Sequence, residues 1–201
     1  MIPARPAPSP ALVLGSTSRY RRELMERLRL PFSVDSPGVD ETPHDGETPR
    51  DLALRLALEK ARAVAARHPD AVVIGSDQVA DLDGQALGKP GDHERATAQL
   101  RLMRGRTVVF QTAVAVVRQS TGFERVDIAP VRVRFRDVSD DEIETYLRAE
   151  QPYDCAGSAK SEGLGIALLE AIDNDDPTAL VGLPLIRTVG MIRAAGVKVL
   201  R

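Results

Sequence analysis

Short unbroken apolar runs alternate along the chain with longer stretches in which apolar residues return every three or four positions. ALVLG, 11–15, is the first run and predicts a short buried strand. STSRYRRELMERLRL follows, with Leu24, Met25 and Leu28 on one stripe, and predicts a helix carrying Arg21 and Arg22 in its first turns. PFSVDS predicts a second strand. The span from Thr48 to Arg67 predicts the longest helix, with Thr48 as N-cap, Pro49 at the first helical position and Asp51 in the first turn. DAVVIGSD predicts a third strand that ends by leaving Asp77 at its carboxyl edge, and DLDGQALG a turn or hairpin about Asp83-Gly84.

Asp92 is placed to cap the helix HERATAQLRLM. RTVVFQTAVAVVRQ and FERVDIAPVRVRFRDV predict a hairpin turning at Ser120 to Gly122. In its second arm Val131, Val133 and Phe135 alternate with Arg132, Arg134 and Arg136, so one face is solvated. Ser139 and Glu142 form a capping box for the next helix. YDCAGSAKSEGLGIALLEAI predicts a Gly-rich loop into a strand, and LVGLPLIRTVGMIRAAG a closing helix that stops at Gly196.

Strands alternating with helices, interrupted by one antiparallel hairpin, predict an α/β fold. The expectation is a mixed twisted sheet flanked by helices, in an elongated single domain over 11–201 with two lobes and a central cleft. Residues 1–10 are expected to be a disordered Pro-rich tail. Ligands of such sheets tend to sit beyond the carboxyl ends of strands, which is where GSTS and GSDQ fall.

Composition narrows the function classes. A formal net charge of −2 argues against a general nucleic-acid or anionic-membrane binder. No apolar run approaches the roughly 20 residues that span a bilayer. The single cysteine, Cys155, excludes an internal disulfide, and His44, His68 and His93 lack metal-ligand spacing. A reducing, cytoplasmic setting fits best.

Several charged residues stand beside predicted strand ends or helix starts. In GSTSRYRR, Ser16 and Ser18 with Arg21 and Arg22 read either as a plain N-cap with solvated arginines or as an anion site at a helix N-terminus. Lys89 in LGKPG fails the Walker spacing and is either a turn lysine or a cation whose reach Pro90 restricts. Asp77 either caps a turn or binds a cation. Lys60 and Glu41 read singly as a helix lysine and a loop acid. Together, two acids, two lysines and two arginines match the inventory for cleaving a phosphoanhydride. Cys155 reads as a small buried residue, and IDNDDPT, which lacks the Gly and terminal Glu of an EF-hand loop, as an acidic turn.

With LVLGSTSRYRRELM, VDETP, LALEKARAVA, VIGSDQV, LGKP, CAGSAKSEGLGI and TALVGLPL, the chain resembles the Maf family of nucleoside triphosphate pyrophosphatases from Leu12 to Gly196. SDQ after the third strand and SEG at 161–163 resemble the branch acting on 7-methylguanosine triphosphate. The resemblance implies a Maf/ITPase-like fold and hydrolysis between the α- and β-phosphates. Asp77 falls on the proton acceptor, with Lys60 and Lys89 beside it. Ser16, Arg21 and Arg22 fall on phosphate-binding positions, Glu41 and Asp77 on metal-handling ones, and Tyr20, Gln78 and Glu162 on positions that set base preference. A divalent cation, Mg2+ or Mn2+, is implied as cofactor, a nucleoside triphosphate as substrate, and a homodimer is an open expectation. The chain departs from the usual family pattern at Gly15, where Ala is common, at Arg19, where Pro is common, and at Tyr20, where the branch often has Trp. The alternatives are a dTTP/UTP pyrophosphatase of the same family and a non-catalytic nucleotide-binding regulator of septum formation.

Overall fold

The computed structural model describes residues 9–200; of the expected proline-rich tail, 1–10, only Ser9 and Pro10 fall inside them. The described residues form one sheet of seven strands: β1 (Leu12–Gly15), β2 (Ser33–Asp35), β3 (Val72–Leu82), β4 (Gln85–Leu87), β5 (Thr107–Arg118), β6 (Phe123–Phe135) and β7 (Leu169–Asp173). Five helices flank it: α1 (Arg19–Glu26), α2 (Pro49–Ala65), α3 (His93–Met103), α4 (Asp140–Glu150) and α5 (Leu185–Ala194). The strand order is β2-β1-β3-β5-β6-β7, with β4 also on β3. β1 is parallel to both its neighbours, and the other pairings are antiparallel. The sheet is therefore mixed, as the order of elements predicts.

Side-chain alternation divides the first half of the sheet into two faces. Val13, Val73, Ala113 and Ala115 pack under α2 with Leu52, Leu56 and Val64. Leu12, Leu14, Val72, Ile74, Val114 and Val116 pack on the opposite face with Leu24 and Met25 of α1 and Met191 and Ile192 of α5. A third apolar cluster gathers the far ends of β3, β5 and β6 with α3 and α4, through Leu100, Met103, Phe110, Ile143 and Leu147. Burying one such leucine stabilises by roughly 1.5–3 kcal/mol. Two lobes thus share three long strands.

β3 corrects the sequence reading. Asp77 does not leave the sheet at a strand end; it lies mid-strand, opposite Ala113 in a ladder that runs from Val73 to Asp81. Buried Val79, Ala80 and Leu82 carry the strand onward. On its other edge β3 pairs with β1 at 72–75 and with β4 at 80–82, leaving 76–79 without a strand partner.

Two glycines set how close α2 comes. A Cβ at Gly75 would drive into the Ala57 carbonyl oxygen and stand 2.5 Å from the Ala61 amide nitrogen. A Cβ at Gly15 would lie 3.1 Å from Val64 and 3.3 Å from the Lys60 carbonyl oxygen. β3 must lack a side chain at Gly75 for α2 to lie this near, whereas at Gly15 a Cβ would ask its neighbours to give by only a few tenths of an ångström.

The last helix also differs from expectation. It starts at Leu185 rather than near Leu180, where a single tight turn, Ala179–Val181, precedes Gly182 at φ 121°. The acidic turn fixes the new start. Buried Asp176 accepts from the backbone N–H groups of Ile186 (2.9 Å) and Arg187 (3.2 Å), a charge-assisted contact at a helix N-terminus. The predicted caps at Thr48, Asp92 and Ser139 are present, the last as a capping box with Glu142.

The loop between β2 and α2 is clamped by Arg55, which donates to both carboxylate oxygens of Glu47 at 2.6 and 2.8 Å and to the Thr42 carbonyl oxygen at 3.1 Å. The guanidinium draws the Glu47 carboxyl down to about 2 from 4.5.

Gly75→Ala is expected to cost at least about 2 kcal/mol, because the opposing atoms are backbone and cannot step aside; urea unfolding measures it. For Glu47, a depressed folded-state pKa means that its stabilisation is complete above about pH 4.5 and lost as pH falls toward 2. The stability gap between the parent and Glu47→Gln should follow that course in denaturant titrations at stepped pH.

Candidate active site

A cleft of about 680 Å³ runs along the bare stretch of β3, and every predicted site residue except Arg22 lines it. Alternation along GSDQ explains its two walls. Asp77 shares the α2 face with Gly75, while Ser76 and Gln78 point to the 179–182 turn on the other face.

Lys60 is the centre of the first wall. Its side chain is only 5% exposed, and its Nζ lies 2.6 Å from Glu41 Oε1 and 2.7 Å from Asp77 Oδ1. The close α2–β3 contact at Gly75 brings it there. Asp77 Oδ2 takes no donor from the described residues yet remains reachable by solvent. Partial burial is the largest influence on Glu41 and favours its neutral form. Lys60, Lys89 and Arg21 outweigh it and hold the carboxyl below its usual range.

The turn after β1 supplies further cations and hydroxyls. Ser18 is the N-cap of α1, so that part of the plain capping reading is realised. Arg21 reaches inward: its Nε donates to the Gly182 carbonyl oxygen at 2.9 Å and its Nη1 to Ser16 Oγ at 3.5 Å. Burial lowers the pKa of this guanidinium, and Asp77 and Glu41 act in the opposite direction. Arg22 is turned away, exposed and paired with Glu26 at 3.1 Å, one helical turn on. Its expected place on the phosphates is not met by this geometry. Lys89 borders the cleft from a pinned loop, in which the Gly88 carbonyl oxygen accepts from Gln99 Nε2 (3.0 Å) and the Gly91 N–H donates to Tyr153 O (3.0 Å). Lys89 makes no ion pair among the described residues.

The second wall is polar in a directed way. The Gln78 amide nitrogen faces Thr112 Oγ1 at 2.9 Å and the carbonyl oxygens of Ala179 and Leu180, each at 3.0 Å. Those acceptors fix the amide orientation and leave its oxygen as the free group. Glu162 adds an exposed carboxylate to the same cleft. Tyr20 is half-buried, with its hydroxyl 3.4 Å from Asp154 Oδ1 and 3.7 Å from Cys155 Sγ. Cys155 is a half-buried wall residue rather than core. Burial pushes its thiol up to about 11, which keeps it protonated and unsuited to nucleophilic attack.

Sequence reasoning missed the 179–182 turn as a wall, having read LVGLP as helix. The signal was Gly182 followed by Pro184, a pair that breaks a helix.

The donor set also bears on a metal. No group of three His, Cys, Asp or Glu is clustered for a metal among the described residues. Two carboxylates do meet at one cation, Lys60, so their oxygens lie within two hydrogen-bond lengths of each other. One or two carboxylates completed by substrate phosphates is the usual protein share of an Mg2+ site. The residues fit such an ion.

The model of the family described as Maf-like protein matches residues 11–195. A protein named 7-methyl-GTP pyrophosphatase from Polaromonas sp. strain JS666 is 77% identical over 92% of this chain and 85% of its own length. Proteins of the same name from Albidiferax ferrireducens and Cupriavidus pinatubonensis are 71% and 59% identical, each over 94% of this chain and 95% of their own. A match of this extent, over a cleft with these residues, places the chain in the Maf family.

Proposed function

We propose that the chain is a nucleotide pyrophosphatase that converts 7-methyl-GTP and water to 7-methyl-GMP and pyrophosphate, clearing a modified nucleotide. The observation that carries this reading is the Asp77–Lys60–Glu41 cluster, a carboxylate with one free oxygen beside a lined phosphate-sized cleft. The near relatives' shared name supports the choice of nucleotide.

Asp77 Oδ2 accepts a proton from water as the water oxygen bonds to the α-phosphorus. The bond from that phosphorus to the α–β bridging oxygen breaks, and pyrophosphate leaves with its electron pair. Lys60 holds Oδ1 and so orients the carboxylate. Arg21, Lys89 and the hydroxyl of Ser16 face the triphosphate and offset its charge where it grows during reaction. Glu41 and Asp77 are the residues that would hold Mg2+ or Mn2+. Bound there, the ion would withdraw charge from the phosphoryl oxygens.

Base preference follows from hydrogen-bond matching. Gln78 offers its amide oxygen and Glu162 its carboxylate, so the cleft presents acceptors. Guanine turns N1–H and N2–H donors toward them. Uracil and thymine carry one N–H between two carbonyls and leave acceptors facing acceptors, which is costly in a closed site. Methylation at N7 makes the guanine ring cationic, and the Tyr20 face attracts a cation by roughly 0.5–2 kcal/mol.

Asp77→Asn is expected to lower kcat at least about 100-fold while the fold persists; pyrophosphate release and circular dichroism check the two parts. Parent-like hydrolysis by the variant would remove Asp77 from its role, and the reading of a purely binding regulator would gain. A panel of 7-methyl-GTP, GTP, UTP and dTTP should give the highest kcat/KM for the methylated nucleotide. Equal turnover of UTP would transfer the chain to the alternative specificity.

A further inference from the structure

Arg19 and Asp154 lie at the mouth of the cleft and have no role in the chemistry above. The Arg19 guanidinium carbon stands 4.7 Å from the centroid of the Tyr20 ring, and Arg19 Nη2 donates to Tyr20 Oη at 2.6 Å. The same nitrogen is 3.8 Å from Asp154 Oδ2, and Tyr20 Oη is 3.4 Å from Asp154 Oδ1. A planar, delocalised cation therefore holds both an aromatic face and a carboxylate on the wall assigned to the base. The ring of 7-methylguanine is also a planar, delocalised cation.

We infer that Arg19 is an internal stand-in for the methylated base: in the free protein its guanidinium holds the Tyr20 ring and Asp154, and the substrate's cationic ring displaces it from both. Arg19 and Asp154 are then determinants of preference for a cationic base, with Asp154 favouring it and Arg19 competing with it. The inference rests on the 7-methyl-GTP reading.

Displacement is cheap. The Arg19 and Asp154 side chains are 66% and 55% exposed, and ion pairs so exposed contribute little. The two cations cannot share the site without repulsion, since like charges a few ångströms apart raise the energy even near water. Arg19 lies outside the Asp77–Lys60–Glu41 cluster, so this competition leaves the reacting groups untouched. Asp154 reaches the site from the loop before the second lobe's Gly-rich segment, across the cleft from α1. It is the acid nearest the Tyr20 hydroxyl, and it carries the charge that an uncharged guanine does not need.

Steady-state rates of the full chain with 7-methyl-GTP and with GTP test the inference through the ratio of the two kcat/KM values. Asp154→Asn should lower that ratio about threefold to fivefold, the range of a partly exposed charge pair, with the change in KM for the methylated nucleotide. Arg19→Ala should raise the ratio about threefold by lowering the same KM. If the parent shows no preference for the methylated nucleotide, the functional reading fails and this inference with it. If the parent does prefer it, yet either variant leaves the ratio within about twofold of the parent or moves it the other way, the functional reading survives and the stand-in role is overturned.

Discussion

An ammonium group withdrawn from water needs opposite charge beside it, and Lys60 obtains it from two parts of the chain far apart in sequence. Asp77 comes from the middle of β3 and Glu41 from the loop that Arg55 clamps. Removing both acids would leave a buried cation without a partner, which is far costlier than losing a surface pair, whereas losing one leaves the other in place. The lysine can stand there only because α2 lies almost on the backbone of β3 at Gly75. Helix packing, loop anchoring and the placing of a proton acceptor are thus one constraint.

The pleat of a single strand separates the chemistry from the selectivity. Asp77 faces α2 and the cations, whereas Gln78, one residue on, faces the 179–182 turn and offers an acceptor. Both are reachable because neither β1 nor β4 covers the edge of β3 between them. A residue inserted before Asp77 would exchange the two walls.

Much of this was legible in the residue pattern. The caps at Thr48, Asp92 and Ser139, the hairpin of β5 and β6 and the solvated arginines of β6 are local, and local chemistry decides them. The convergence of Ser16, Lys60, Asp77 and Lys89 was legible only through the family resemblance, since nothing in their spacing fixes distance in space. Two features escaped for physical reasons. The continuation of β3 through Asp77 depends on pairing with β5, more than thirty residues away, which overrides the polar character of GSDQ. The late start of α5 depends on Asp176 meeting backbone N–H groups ten residues on. Arg22 differs from Arg21 in the same way: its charge suits a phosphate, but on α1 its side chain lies with Glu26 rather than in the cleft.

β3, β5 and β6 pass without a break from one lobe to the other, with β5 and β6 in continuous register from Thr107 to Arg118. A jaw needs a short flexible strip about which its halves can rotate, and a three-stranded ladder supplies none. The floor of the gap beside β3 is therefore one continuous piece of sheet, and what can yield to a nucleotide is the set of loops and side chains around its rim.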